Sequence, residues 1–125
     1  MVNVFSFRRE TENDLIVVKA RIGDSVFKLA LATGSSYTFI DSSILEKEGY
    51  NVENSKGKVS IRTLKGIINS TCHEVANFST LGIEKESFEV YAGDYSKKNY
   101  DGLIGLDFLR EVKFCIDFEQ EKIVV

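Results

Sequence analysis

The sequence LALATGSS at residues 29–36 is an apolar run that ends in a polar turn. Small and aliphatic residues are typical of a buried strand, and Thr-Gly-Ser-Ser is typical of the turn that follows one. A second stretch, DGLIGLDFL at residues 101–109, joins a short apolar strand to the start of a helix. Each pattern alone occurs in proteins of every class, so the interpretation depends on their order and spacing.

Short apolar or alternating runs dominate the chain and predict a mostly β protein. The predicted strands are residues 2–7, 15–22, 26–31, 59–61, 67–78, 88–91, 114–118 and 123–125. Between the second and third of them lie Gly23, Asp24 and Ser25, which favour a hairpin.

Two segments break the strand pattern and are predicted to be short helices. The first covers residues 42–48, with Ser42 or Ser43 as its N-cap and Gly49 as its stop. The second covers residues 106–112. The charged runs at 84–86 and 96–99 are predicted to be exposed turns.

The composition predicts one globular domain over residues 1–125. Hydrophobic residues make up 43% and charged residues 28% of the chain, an ordinary soluble balance.

The net charge of -3 comes from scattered residues, so nucleic acid is not expected as a partner. No signal peptide or membrane segment is recognisable, so a cytoplasmic location is expected, although a missing leader or anchor stays open. Cys72-His73 lacks further ligands, so neither a metal nor a cofactor is expected.

The segment ATGSSYTFID at residues 32–41 resembles the active-site segment of the retropepsin family of small homodimeric aspartic proteases. In that family an apolar strand runs into Asp-Thr/Ser-Gly, and Ala32 stands at the position of the catalytic Asp. Residues 103–109 are similar to the segment that closes the family's active site, and residues 61–68 are interpreted as its flap. The resemblance implies a closed β-barrel with a flap hairpin and one or two short helices.

The resemblance also implies a set of site residues. They are the catalytic segment Ala32, Thr33, Gly34 and Ser35, the substrate-binding flap residues Thr63, Leu64, Lys65 and Gly66, and the site-wall residues Ile104 and Gly105. In the family the motif threonine bonds across the dimer axis and the glycine lets backbone approach the reacting groups. Ser35 is expected to support the carboxylate, and Gly66 to give the flap tip its turn.

One motif per chain supplies half of a two-carboxylate site, so the family mechanism requires a homodimer acting on a peptide or protein substrate. Ala32 then removes both carboxylates together. Asp41, Asp101 and Asp107 are expected to cap turns or the helix instead of replacing them. The chain as written is therefore expected to be an inactive aspartic endopeptidase.

Two explanations of Ala32 remain open at this point. It is either an engineered substitution in an active enzyme or the mark of a natural pseudoprotease that binds peptide or dimerises without cutting. The presence of Thr33, Gly34 and Ser35 favours engineering. His73 is expected to be a partly exposed strand residue, and Tyr91, Tyr95 and Tyr100 are expected to pack without a role in the site.

Overall fold

A computed structural model describes residues 3–7, 15–53, 58–63 and 66–125 of the chain. Within them lie ten strands and two short helices. They are β1 (Val4–Ser6), β2 (Val17–Ile22), β3 (Ser25–Leu31), β4 (Phe39–Asp41), α1 (Ser42–Lys47), β5 (Lys58–Thr63), β6 (Gly66–Thr80), β7 (Ile83–Gly93), β8 (Gly102–Ile104), α2 (Leu106–Leu109), β9 (Cys115–Asp117) and β10 (Lys122–Val124). In this described part, no helix has the length and apolar character needed to cross a membrane.

Six strands form a closed barrel in the order β2-β3-β8-β4-β7-β6, because β6 pairs back onto β2. Strand β5 adds to β6 as an antiparallel hairpin that extends from the barrel. A separate three-stranded sheet has the order β1-β10-β9. The mostly β fold, the closed barrel and the hairpin between β2 and β3 are thus confirmed.

The barrel interior is filled by side chains from alternate strand positions, as the period of a β-strand requires. On β2, for example, Val18, Ala20 and Ile22 are buried while the residues between them are exposed. Phe78 is fully buried, and its ring stacks on Phe88 with centroids 5.1 Å apart. Burying side chains of this size contributes about 1.5–3 kcal/mol each, so the core holds the barrel closed.

The central feature of the topology is that β8 lies between β3 and β4. It runs parallel to β3, with Leu31 opposite Ile104, and antiparallel to β4, with Phe39 opposite Leu103. The turn that leaves β3 at Ala32 therefore lies beside the junction of β8 and α2. These are the two stretches from which the sequence interpretation started.

Local details of α1, α2 and β7 differ from the sequence predictions. Helix α1 is capped by Asp41, whose side chain accepts a hydrogen bond from the Ser43 backbone N–H at 3.2 Å, so the serine cap was wrong. Helix α2 ends at Leu109 instead of residue 112. Residues 84–86 lie within β7 and are not a turn, because β7 forms a hairpin with the preceding strand β6, with Glu84 opposite Ser79 and Lys85 opposite Phe78.

His73 is buried at 7% exposure, so the prediction of a partly exposed residue was wrong. It lies on β6 opposite Val90, at an inward-facing position of the barrel wall. Its Nε2 lies 2.8 Å from the Thr71 Oγ1. Burial lowers the pKa of His73 below its ordinary value of 6.5, because the charged imidazolium is poorly solvated there.

The burial of His73 predicts that stability falls as the pH drops through the unfolded-state pKa of 6.5. Below that pH the unfolded chain takes up a proton that the folded chain resists, so acid favours unfolding. His73 is the single histidine of the chain, which isolates its contribution from other groups of its kind. The free energy of unfolding, measured in urea between pH 7 and 5.5, is expected to fall with pH. In the His73→Gln variant it is expected to fall less steeply. An equally steep loss in the His73→Gln variant would contradict the assignment.

Candidate active site

A groove of about 730 Å³ opens where the β3 turn, the barrel wall and the β5–β6 hairpin meet. Ala32 and the turn after it form one side, and the hairpin forms the facing side. The lining residues are Ala32, Gly34, Ser35, Ser36, Tyr37, Phe39, Ser60, Ile61, Arg62, Ile68, Gly93, Asp94, Tyr95 and Leu103. Three of the four residues predicted as the catalytic segment therefore lie in one groove with the base of the predicted flap.

Backbone hydrogen bonds hold the turn after β3 in place. The Ala32 N–H donates to the Ile104 carbonyl at 3.0 Å, and the Ser35 N–H donates back to the Ala32 carbonyl at 3.1 Å. The first N–H of α2, from Leu106, donates to the Ser35 carbonyl at 2.8 Å. The turn is thus fixed both to β8 and to the start of α2.

A buried pair of side chains fastens the same turn to α2. Thr38 is fully buried, and the Asp107 carboxylate accepts from both its backbone N–H at 2.9 Å and its hydroxyl at 2.7 Å. The Thr38 hydroxyl oxygen in turn accepts from the Gly105 N–H at 3.1 Å. We call these two residues the Thr38–Asp107 clamp. The sequence predicted that Asp107 would cap a turn or the helix, and its partner here is 69 residues away.

Gly105 is required by a close approach of two backbones. A Cβ at this position would lie 2.3 Å from the Tyr37 carbonyl oxygen and 2.8 Å from that of Ser35. Neither contact is possible without moving the turn. Glycine therefore allows the start of α2 to lie directly against the segment that follows Ala32.

The site-wall prediction named Ile104 and Gly105. Ile104 is fully buried in the main core, and it is the preceding residue, Leu103, that lines the groove. Thr33 is exposed and is not among the lining residues. The Ser35 hydroxyl donates to the Tyr37 carbonyl at 2.7 Å, so it stabilises the turn in this chain.

The predicted flap corresponds to the β5–β6 hairpin, in which Thr63 pairs with Gly66. The tip residues Leu64 and Lys65 lie outside the described residues. Gly66 has a φ of +114°, a conformation that favours glycine, as expected for a residue that ends a tight turn. Ile61 and Ile68 oppose each other in the hairpin and both line the groove, which gives its hairpin side an apolar surface.

Aromatic rings form much of the groove wall. The ring of Tyr37 lies 4.8 Å from that of Tyr91, and Tyr91 lies 5.8 Å from Phe39. Tyr37 was not singled out from the sequence, and Tyr95, expected only to pack, also lines the groove. Burial raises the pKa of Tyr95 to about 12, so its phenol stays protonated at any ordinary pH.

Asp94 is the single carboxylate among the lining residues described. Its Oδ1 accepts from the Ser96 hydroxyl at 2.7 Å and from the Ser96 N–H at 3.1 Å, and these hydrogen bonds lower the pKa of the carboxyl. A general acid needs a raised pKa, so Asp94 does not suit that role. Asp101 accepts from the Lys28 N–H at 2.8 Å, as expected for a residue that stabilises a turn.

Among the described residues, no group of histidine, cysteine, aspartate or glutamate side chains is arranged to hold a metal ion. The site therefore consists of a small-residue turn, an apolar groove and a covering hairpin. What these elements can do chemically depends on the side chain at position 32. An alanine methyl group neither accepts nor donates a proton.

Comparison with known proteins gives the family of the chain. The profile of a family described as Aspartyl protease matches residues 18–108, which include the β3 turn, the hairpin and the start of α2. A retropepsin-like aspartic protease from Rickettsia conorii has a similar structure, with a TM-score of 0.71 and 17% sequence identity over 99% of this chain and 90% of that chain. No curated protein sequence matches significantly. The chain belongs to the aspartyl protease family and has the retropepsin-like fold.

Proposed function

We propose that the chain is one half of a homodimeric aspartic endopeptidase and that Ala32 occupies the position of its catalytic aspartate. The observation that carries the proposal is the place of Ala32. It lies at the end of β3, bonded to β8, in a groove that the β5–β6 hairpin borders. A carboxylate on this residue would extend from a turn that two strands and a helix hold in place.

A second copy is required because each chain offers one such position, whereas the reaction of this family needs two carboxylates that share a proton. Gly34 supports the same conclusion. Its φ is not in the left-handed region, and a Cβ added to it would meet no atom within 4 Å. The described residues therefore leave open space beside Gly34, where a substrate or a second chain could approach the turn in this proposal.

The three-stranded sheet offers a surface for that second copy. Its outer strands, β1 and β9, each pair on one side only within the described residues. Val4 on β1 is 55% exposed, so an apolar side chain faces solvent at this edge. Unpaired edges of this kind can be extended by strands of another chain.

The chemistry follows from restoring an aspartate at position 32 of both chains. One carboxylate takes a proton from water while the water oxygen bonds to the substrate carbonyl carbon. The other, protonated, donates its proton to the carbonyl oxygen. The tetrahedral intermediate then breaks its C–N bond as the nitrogen takes the proton that the first carboxylate received from water. A hydroxyl of the intermediate returns a proton to the second carboxylate, and a carboxylic acid and an amine are released. The methyl group of Ala32 can neither accept nor donate these protons, so the chain as written is inactive in this proposal.

The substrate in this proposal is an extended peptide. The groove has apolar walls from Phe39, Ile61 and Leu103, and it runs beneath a hairpin whose backbone can pair with a peptide strand. The flap residues Thr63, Leu64, Lys65 and Gly66 close over the peptide in this scheme. The expected cytoplasmic location and the engineered origin of Ala32 both stay predictions.

Peptide cleavage tests the proposal. The purified Ala32→Asp variant and the unchanged chain are incubated with a peptide mixture, and their dimeric state is checked by sedimentation velocity. Cleavage by Ala32→Asp alone, blocked by an aspartic protease inhibitor, is the expected result. Folded dimers of Ala32→Asp that cleave nothing would contradict the proposal and favour a peptide-binding module.

A further inference from the structure

The groove wall formed by β4, β7 and β8 changes from large to small side chains at the end of β7. Phe39 lies opposite Tyr91 on β7 and opposite Leu103 on β8, so three large side chains form one row. In the next row along β7, Gly93 lies opposite Asp41. Alternate residues of a strand share a face, so Gly93 lies on the same face as Tyr91. This part of the wall has no side chain from β7 itself.

The ring of Tyr95 fills the space over Gly93. A Cβ on Gly93 would lie 2.6 Å from Tyr95 Cε2 and 3.5 Å from its Cζ. The φ of Gly93 is not in the left-handed region, so it is the ring that requires glycine there. Tyr95 packs against a cluster that includes Phe39 and Ile61, which both line the groove, as Gly93 and Tyr95 do. The ring therefore lies on the groove side of β7.

Hydrogen bonds hold the segment that carries this ring. The Tyr95 N–H donates to Asp41 Oδ1 at 2.7 Å, and the other oxygen of the same carboxylate caps α1. The Tyr95 carbonyl accepts from the Lys98 N–H at 3.0 Å. The ring of Tyr100 lies 5.9 Å from that of Tyr95. The backbone of Tyr95 is thus fixed on both sides, and its ring is a positioned part of the groove wall.

We propose that Tyr95 is a specificity-determining residue that restricts the subsite over Gly93 to substrate residues with a small side chain, Gly, Ala or Ser. The proposal rests on the peptide-binding function inferred above. A side chain that reaches the end of β7 meets the Tyr95 ring, so a large one binds only if the fixed ring moves. Because a twofold dimer presents two copies of Tyr95, the preference is expected at one position on each side of the cleaved bond.

A peptide series tests this role. Peptides of one parent sequence carry Ala or Phe at each position in turn, and kcat and KM are measured with the Ala32→Asp variant. At the restricted position, kcat/KM for the Ala peptide is expected to exceed that for the Phe peptide by about tenfold or more. Adding Tyr95→Ala removes the ring and is expected to raise kcat/KM for the Phe peptide by about tenfold. An unchanged Ala-to-Phe ratio in folded Tyr95→Ala overturns the proposal.

Two matched controls are made in the same Ala32→Asp background. Tyr95→Phe keeps the ring without its hydroxyl and is expected to keep the Ala-to-Phe ratio. Tyr100→Ala deletes a neighbouring half-buried ring that does not line the groove, and its ratio is expected to change little. A shift in either control as large as that in Tyr95→Ala overturns the proposal, because the hydroxyl or a general loosening of the segment would then explain it.

Gly93→Ala tests the contact without removing the ring. The added methyl group displaces the ring from β7 towards the groove. In the Ala32→Asp background, Gly93→Ala is expected to lower kcat/KM for the Ala peptide by about tenfold, and to have little effect once Tyr95→Ala is also present. Equal losses in both backgrounds would show that the ring does not depend on Gly93, and would overturn the proposal.

A binding measurement separates this proposal from the proposed protease function. Fluorescence anisotropy with labelled Ala and Phe peptides is measured on the unchanged chain and on the chain carrying Tyr95→Ala alone, where no cleavage is expected. Tighter binding of the Phe peptide in Tyr95→Ala supports the role of Tyr95, even if Ala32→Asp proves inactive, and unchanged binding overturns it. Cleavage by Ala32→Asp with no preference between the peptides overturns the role of Tyr95 and leaves the protease function standing.

Discussion

Ala32→Asp is expected to raise the rate of peptide hydrolysis by roughly 10⁴-fold or more, because it restores a general acid and a general base in one dimer and each contributes about 10²–10⁴-fold. The groove, the hairpin and the turn that holds position 32 are already formed in the alanine chain. The substitution therefore adds the reacting groups to a site that needs no rearrangement of its walls. The rate is measured with a fluorogenic peptide under conditions that give a dimer.

The pH profile distinguishes this gain from contaminating protease activity. Two carboxylates across a twofold axis share one proton, so one apparent pKa lies below and the other above the ordinary aspartate value. Activity is expected to follow a bell-shaped curve with its maximum on the acid side of neutrality. Ala32→Asn, which has a similar shape but does not titrate, is the matched control and is expected to stay inactive. Equal activity in the Asn variant would contradict a role for a carboxylate.

Asp107→Ala is expected to lower the free energy of unfolding by about 3 kcal/mol, which is a large part of the stability of a small domain. The substitution removes both acceptor oxygens of the Thr38–Asp107 clamp. It leaves the N–H and hydroxyl of the fully buried Thr38 without their partner. A buried donor without an acceptor costs about 1–3 kcal/mol, and here two donors are affected.

Two further variants test the origin of that loss. Asp107→Asn keeps one acceptor oxygen and is expected to lose about half as much stability, since one hydrogen bond is retained and made weaker. Asp117→Ala removes an exposed carboxylate that accepts from the Gln120 N–H, and it is expected to cost well under 1 kcal/mol. Urea unfolding measures all three. If Asp107→Ala and Asp117→Ala lose the same small amount, the clamp does not stabilise the site.

The same clamp predicts an effect on catalysis. Thr38 and Asp107 do not line the groove, so they act on the reaction by positioning the turn after Ala32. In the Ala32→Asp background, Asp107→Asn is expected to lower kcat more than it raises KM, because a displaced carboxylate harms the transition state more than peptide binding. An unchanged kcat in a folded variant would limit the clamp to a role in stability.

The sequence predicted those parts of the fold that depend on local patterns of residues. The β2–β3 hairpin could be predicted from the alternation of apolar and polar residues over 15–22 and 26–31 and from the turn at Gly23. The two-residue period of a strand and the residue preferences of a turn both depend only on neighbouring residues. The order of the LALATGSS and DGLIGLDFL stretches was enough to predict the family, because the family profile matches residues 18–108, which contain the first stretch and all but the last residue of the second.

The parts that were missed depend on contacts between distant residues. The burial of His73 is set by closure of the barrel. The Thr38–Asp107 clamp and the place of Tyr37 in the groove likewise arise only when α2 meets the turn. No local pattern encodes these contacts. Asp107 is the one of these residues whose structural role the sequence indicated, because an acidic residue at the start of a predicted helix is expected to act as a cap.

Mixed dimers test most directly the claim that each chain supplies half of one site. The Ala32→Asp chain is mixed with the unchanged chain at constant total concentration until subunits have exchanged, and cleavage is followed as the mixing ratio varies. A dimer with one carboxylate lacks either the acid or the base, so activity is expected to follow the square of the Ala32→Asp fraction, with about a quarter remaining in an equal mixture. Activity that falls in simple proportion, to about half, would show that each chain works alone and would contradict the shared site.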